Sequence, residues 1–274
     1  MSLEKPNEIT YYTDTSDSSY TDTSESSYTD TSDSSDTDTS DPYIVAIDMD
    51  ETLGSFVELG IFWDALQKLT GNNSKEEFFK IIDTFPNFIR PGMLYILKFL
   101  VIKKKKFGKK LRLVIFTNNQ GPKSWAQLIS EYFNYKLNAQ VFDTIIGAYK
   151  INGQIIENCR TSNEKKLSDL LACTNMPYNS NIIFIDDLVH EKMIDANVYY
   201  IHVKPYHYSE PYVRLATMYY NKNPIDYLNK KEFVYGITKI MKRYKYKVRP
   251  KSNDEVKLDK IVGKHMLTHL LRQF

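Results

Sequence analysis

Three short apolar runs, rich in β-branched residues, each break off into a cluster of polar ones, and this pattern limits the fold more than any other feature of the chain. Tyr43-Ile-Val-Ala-Ile47 runs into Asp48-Met-Asp50-Glu-Thr52-Leu53. Leu111-Arg-Leu-Val-Ile-Phe116 runs into Thr117-Asn118-Asn119-Gln120, and Asn181-Ile-Ile-Phe-Ile185 runs into Asp186-Asp187. Nearly unbroken apolar runs of this length suit strands covered on both faces. Val141–Ile146 and Val198–Val203 read as two further strands. Helical patterns lie between them, near 58–70, 74–84 and 122–136, and from about 163 to 173. Ser74 with Glu77 three residues on is a helix-start signature, and another helix should follow Arg90-Pro91-Gly92. Trp125, Leu128, Ile129 and Tyr132 share one helical face. Strands alternating with helices predict an α/β fold: a Rossmann-like, mostly parallel sheet with helices on both faces. This domain should span 42–207, with 54–90 as a small helical cap. A helical, basic extension should occupy 208–274.

The first 41 residues are of another kind. Residues 12–35 are three copies of an octet, Tyr-Thr-Asp-Thr-Ser-(Asp/Glu)-Ser-Ser, and a shortened copy ends at Asp41. The octet has no aliphatic residue, so it cannot bury enough surface to offset the entropy of ordering, and disorder is expected. Residues 1–41 hold eleven acids against Lys5, a net charge of −10. The whole chain is +2, so residues 42–274 carry +12: an acidic tail on a basic body.

The bulk composition excludes several classes. No run of about 18 apolar residues is present and the N-terminus has no apolar leader, so an intracellular protein, cytoplasmic or nuclear, is expected rather than a secreted or membrane one. Cys159 and Cys173 are the only cysteines. They are expected to be reduced and structural, and neither lies in a zinc-like cluster. The lysine-, isoleucine- and tyrosine-rich composition, with a low-complexity tail, hints at an AT-rich genome such as a viral one.

In open parallel sheets ligands bind beyond the carboxyl ends of the strands, so all three polar clusters can face one crevice. Asp alone often just ends a strand; three such endings in one chain argue for chemistry. Where the chain turns after Ile47, two carboxylates spaced i, i+2 can reach one phosphorus atom. One can attack it and become an aspartyl-phosphate; the other can protonate the leaving oxygen and later deprotonate water. The acids at 186 and 187 offer hard oxygen ligands for Mg²⁺. A hydroxyl and a lysine can hold the remaining phosphate oxygens.

These residues resemble the motifs of the haloacid-dehalogenase (HAD) phosphatases. Asp48-Met-Asp50-Glu-Thr52 is similar to their first motif, Thr117 to the second, a lysine at 165 or 166 to the third and Asp186-Asp187 to the fourth. Asp-x-Asp-Glu-Thr-Leu with a later Arg90-Pro91-Gly92 looks like the branch holding the RNA-polymerase C-terminal-domain phosphatases and the NLI-interacting-factor-like proteins. Lys165-Lys-Leu-Ser is similar to a stretch of that branch, which favours Lys165 over Lys166. The chain departs from the branch at Phe116-Thr117-Asn118-Asn119-Gln120, closer to small-molecule and nucleic-acid end phosphatases, and at Asp186-Asp187, where Asp-Asn is usual. The resemblance implies Asp48 as nucleophile and metal ligand, and Asp50 as acid/base and metal ligand through its carbonyl. It implies Thr117, Asn118 and Lys165 as phosphate-binding residues, and Asp186 and Asp187 as Mg²⁺ ligands.

The expected activity is Mg²⁺-dependent hydrolysis of a phosphomonoester, with phosphoprotein as the leading substrate. The alternatives are a nucleic-acid end phosphatase and a catalytically weak protein that binds phosphorylated partners. Two basic segments bear on nucleic acid. Residues 103–110 hold six lysines, and 242–251 interleave bases with tyrosines, although a solvated face accounts for either. His190 reads as a loop histidine beside the site, and Arg90 as part of a helix-start turn.

Overall fold

In the computed structural model the described residues are 41–274. The reading of the repeat tail therefore lies outside them, save for Asp41, whose carboxylate accepts a 2.7 Å hydrogen bond from Asn179. Strand β1 (Tyr43–Ile47) is the middle of a five-stranded parallel sheet. The others are β2 (Leu111–Phe116), β3 (Thr144–Ile146), β6 (Asn181–Asp186) and β7 (Val198–His202), in the order β3-β2-β1-β6-β7. Two-residue periodicity splits β1 between two cores. Val45 and Ile47 enter one with Leu113, Ile115, Ile183 and Ile185; Ile44 and Ala46 enter the other with Val114, Phe116, Ile182 and Phe184.

Eight α-helices lie among the described residues: α1 (Val57–Thr70), α2 (Lys75–Thr84), α3 (Met93–Phe107), α4 (Lys123–Leu137), α5 (Leu167–Thr174), α6 (Tyr212–Lys222), α7 (Lys230–Met241) and α8 (Asn253–Leu271). Ser74 caps α2 by accepting from the Glu77 N–H, as its sequence predicts. Of the eight α-helices only α5 contributes to the smaller core; the larger one takes residues from the other seven. No helix among the described residues is long and apolar enough to cross a membrane.

Several expectations are revised. Strand β3 starts at Thr144 rather than Val141, because the Asp143 carboxylate takes the Leu113 N–H at 2.9 Å where a strand partner would otherwise accept. Helix α5 starts at Leu167, because Lys166 is still extended (φ −132°, ψ 145°). A hairpin of β4 (Lys150–Ile151) and β5 (Gln154–Ile155) was not anticipated. Its turn, Asn152-Gly153, has positive φ at both positions (50° and 82°), the geometry that suits a two-residue hairpin. Cys159 and Cys173 are not free thiols but a disulfide. The chain returns after the loop at 159–166 so that their Cα atoms come within 5.1 Å, a proximity that linear spacing does not reveal.

The segment 54–90 does not form a separate cap over the sheet edge. Leu59, Phe62, Leu66, Phe78, Ile81 and Ile82 are buried in the larger core, which also holds Leu215, Tyr219, Phe233, Ile237 and Met241 of the C-terminal region. The described residues, 41–274, are one compact unit, so 208–274 completes the core rather than adding a module. Helix α8 reaches the start of α3 through Gly263, where a Cβ would stand 2.1 Å from the Pro91 carbonyl oxygen.

Glu58 fastens α1 to this C-terminal region. It is fully buried, and one carboxylate oxygen accepts from the Glu210 N–H at 2.9 Å while the other has no partner among the described residues. Burial pushes its carboxyl up to about 7. A carboxyl raised on folding makes the fold most stable where it is protonated. That contribution is complete below the unfolded value and is lost as pH rises through the folded one. Glu58→Gln should therefore match the parent below pH 4.5 and gain stability over it as pH climbs to about 7, by up to about 3 kcal/mol. Urea unfolding of both proteins across this range checks it; a stability difference independent of pH would refute the assignment.

Candidate active site

Register brings the polar clusters together. Ile47 lies level with Ile115 on one side and Ile185 on the other, so Asp48, Thr117 and Asp186 leave the same edge of the sheet. The Asp48 N–H continues the ladder to the Ile185 carbonyl (2.9 Å), and the Thr117 N–H to that of Ile146 (2.9 Å). A cavity of about 290 Å³ opens there, lined by Asp48, Asp50, Thr117, Asn118, Lys165, Asp186 and Asp187, with Glu51, Asn119, Leu188 and His190. Every site residue expected from the sequence lines this one cavity, and none of its lining comes from 54–90.

Lys165 sits at the centre. It is 2% exposed, and its Nζ donates to Asp48 Oδ1 (2.5 Å) and Asp186 Oδ2 (2.6 Å). Phe116 and Phe184 place their rings 5.6 and 5.8 Å from the ammonium. Burial works against its charge, but the two aspartates outweigh this and hold its pKa above the ordinary lysine value. Lys166 bonds instead to Thr161 Oγ1 at 3.0 Å, so the geometry selects Lys165 of the two.

The loop after β1 is held from behind. Arg90, 1% exposed, donates to the carbonyls of Thr52 (2.6 Å), Lys204 (2.9 Å) and Glu51. It does more than start a helix: it fixes the turn carrying Asp48 and Asp50, in which Glu51 takes a left-handed conformation (φ 62°). Thr52 Oγ1 donates to Asp187 Oδ1 at 3.0 Å, tying that turn to the end of β6. Asn119 donates to Asp50 Oδ2 at 2.6 Å.

A second clamp was invisible in the sequence. Arg160, 3% exposed, donates to Asn118 Oδ1 (2.8 Å), Gly147 O (2.7 Å) and Thr117 O (3.3 Å), and to the carbonyls of Asn163 and Glu164 (3.2 Å each). Its guanidinium lies 4.9 Å from the centre of the Phe116 ring. It joins the loop after β2 to the residues just before Lys165. Arginine has only donors, so the Asn118 carbonyl oxygen must face it, and the amide N–H groups remain to serve an anion. An arginine in a polar loop carries no signal of such burial; Asn119 was at least inside a marked motif.

The cavity holds five carboxylates, those of Asp48, Asp50, Glu51, Asp186 and Asp187, against one lysine. Burial raises Asp48 to about 7, opposed by Lys165, and raises Asp50 to about 6, opposed by the Asn119 hydrogen bond. Burial also raises Asp187. It would raise Asp186 too, but His190 (Nε2 at 3.4 Å), Lys165 and the Leu188 N–H hold that group below the usual range. Ligand oxygens of Asp48, Asp186 and Asp187 lie within 4.8 Å of one another. Three buried hard-oxygen donors with a surplus of negative charge fit a small divalent cation such as Mg²⁺. The Asp50 carboxylate is outside this trio, turned to Asn119; the resemblance implied a metal contact only through its carbonyl.

A cation bound only by the folded chain stabilises it, by about 2.7 kcal/mol at a hundred times its Kd. Mg²⁺ should therefore raise the melting temperature, and EDTA should reverse the rise. Asp187→Asn removes one donor oxygen without disturbing the Lys165 pairs, so it should shrink the shift severalfold. An undiminished shift in calorimetry of that variant would rule Asp187 out as a ligand.

No family model matches the chain, and no curated protein or solved structure is significantly similar to it. What the site can do has to be judged from its own atoms.

Proposed function

We propose that the chain is a Mg²⁺-dependent phosphomonoester hydrolase of the HAD type, working through a phosphorylated Asp48. The observation that carries this reading is the placement of Lys165. Its ammonium bridges Asp48 and Asp186 at the ends of neighbouring strands, with Asp50, Asp187, Thr117 and Asn118 around the same cavity. Buried charges survive only when paired, and a site that spends five carboxylates and a lysine in one cleft is built for chemistry rather than stability.

In the proposed reaction a terminal phosphate enters between Asp48 and the donors of Thr117, Asn118 and Lys165. Two of the lysine's three protons already serve Asp48 and Asp186, which leaves one for a phosphate oxygen. A carboxylate oxygen of Asp48 attacks phosphorus, and the bond from phosphorus to the leaving oxygen breaks. Asp50 supplies the proton that oxygen needs, and a value near 6 leaves a useful protonated share near neutral pH. Asp50 then takes a proton from water, whose oxygen attacks the aspartyl-phosphate; inorganic phosphate leaves and the Asp48 carboxylate is restored. A bound Mg²⁺ would neutralise phosphate charge beside Asp48, Asp186 and Asp187.

Asp48→Asn should leave the fold intact and lower kcat on p-nitrophenyl phosphate by more than about a thousandfold, because an amide forms no acyl phosphate. Near-parental turnover by the pure variant would end this mechanism. Asn119→Ala tests the acid. The Asn119 hydrogen bond favours ionised Asp50, so its loss should raise the Asp50 pKa from about 6. Activity requiring protonated Asp50 should then persist to higher pH, and the alkaline limb of kcat/KM should move up. A limb that stayed in place would remove Asp50 from this role.

A further inference from the structure

Beside the catalytic cavity runs a second hollow of about 600 Å³, and the two share Asn119. Its walls mix apolar and aromatic residues (Phe56, Ile61 and Trp63 around the start of α1, Trp125 and Leu128 of α4, and Tyr244) with the polar Asp64, Gln67, Asn73 and Ser124. Trp125 is partly exposed and is held in place, edge-on to Phe78 at 5.3 Å and over Gly60, where a Cβ would stand 3.4 Å from the indole. Asn119 is also the residue that grips Asp50, the group placed to protonate the leaving oxygen. A leaving group protonated by Asp50 would thus lie on the Asn119 side, where this groove opens.

A basic stretch of chain flanks the groove's Tyr244. Tyr244 donates to the Asp64 carboxylate and accepts from Lys68 at 3.3 Å, which anchors the segment 242–249 to α1 at this point. Lys242, Arg243, Lys245, Lys247 and Arg249 are all exposed, and among the described residues none of the five is ion-paired with an acid. The lysine block at 103–110 has no such position. It precedes β2, at the opposite end of the sheet from the site, with Lys104 paired to Asp143 (2.7 Å) and Lys103 bonded to the Phe274 carbonyl (3.1 Å).

The accessible rings of Trp125 and Tyr244 beside a phosphate site, followed by a row of exposed cations, match bases on a polyanionic strand. On the hydrolase reading proposed above, we infer that the substrate is a terminal phosphate of single-stranded nucleic acid. The nucleotide next to that phosphate stacks in the groove, and further phosphates follow residues 242–249. A lone nucleotide would fill the groove without using the basic stretch, and a phosphopeptide would bring neither stacking bases nor a chain of phosphates.

The test uses full-length protein. Fluorescence anisotropy with the Asp48→Asn chain measures binding without turnover, to single-stranded oligonucleotides carrying a 5′-phosphate, a 3′-phosphate or only hydroxyl ends, and to a phosphoserine peptide. One phosphorylated oligonucleotide should bind at least about tenfold tighter than the hydroxyl form and the peptide, with log Kd rising with log salt by about 0.7 per phosphate contacted. In the same chain, Lys245→Glu with Lys247→Glu should reduce that slope and weaken binding about tenfold. Trp125→Ala should weaken binding about tenfold with the slope unchanged; if circular dichroism shows it unfolded, Trp125→Leu, which keeps apolar bulk but no ring, takes its place. Hydrolysis of p-nitrophenyl phosphate by the unaltered chain reports the hydrolase reading separately. If that hydrolysis is present but the oligonucleotides bind no better than the peptide, or the groove and basic-stretch variants bind unchanged, the nucleic-acid inference is overturned and the hydrolase stands.

Discussion

A lysine ammonium with almost no access to water has to be compensated, and in this protein the two groups that compensate Lys165 are Asp48 and Asp186. The requirement runs both ways. Removing Lys165 would leave two buried carboxylates uncompensated, at a typical cost of about 3–5 kcal/mol, whereas neutralising Asp48 leaves the ammonium paired with Asp186. Lys165 comes from the loop before α5, Asp48 from the end of β1 and Asp186 from the end of β6, so the ammonium fastens three separate stretches of chain at one point. Phe116 and Phe184 face it from the sheet, close off water and present π surfaces to the charge. The position of every other group in the cavity follows from this knot and from the two buried arginines that hold the loops behind it.

Those arginines divide the work. Arg90 gathers the carbonyls of Glu51, Thr52 and Lys204, which fixes the turn bearing Asp48 and Asp50 against the segment after β7. Arg160 gathers the carbonyls of Thr117, Gly147, Asn163 and Glu164, which fixes the loop after β2 against the approach to Lys165. The Cys159–Cys173 bridge stands next to Arg160 and ties the same loop to the end of α5. Backbone carbonyls in buried loops need donors, and a five-donor side chain answers several at once. The rigidity of the cavity is thus built from side chain to backbone, beyond the strands themselves.

The helices explain why one face of the site is open to a larger ligand. No residue of 54–90 lines the cavity that holds the carboxylates. Instead α1 and α2 pack with α6 and α7 into the larger core, and the start of α1 forms one wall of the groove beside Asn119. The C-terminal region supplies Tyr244 to that groove while burying Phe233, Ile237 and Met241. Core completion and the shaping of the ligand surface are here the same event.

The parallel sheet and the strand-end residues were legible in the linear chain, because both are local. A strand buried on both faces must be apolar along its length, and the first polar residue after it marks where the sheet ends. That is why Asp48, Thr117 and Asp186 could be named together. The Ser74 cap was legible for the same reason. What depended on distant partners was not. Lys165 and Lys166 are neighbours of one kind, and only the turn into α5 sends one inward and the other to Thr161. Nothing local distinguishes Arg160 or Arg90 from a solvated arginine, since their partners lie up to 43 and 114 residues away. The disulfide and the shared core of α1, α2, α6 and α7 are likewise matters of what folding brings near. Periodicity and turn chemistry act over a few residues and are written in the sequence. Burial of charge, pairing of thiols and the choice of which helices share a core are set by contacts that exist only once the chain has closed on itself.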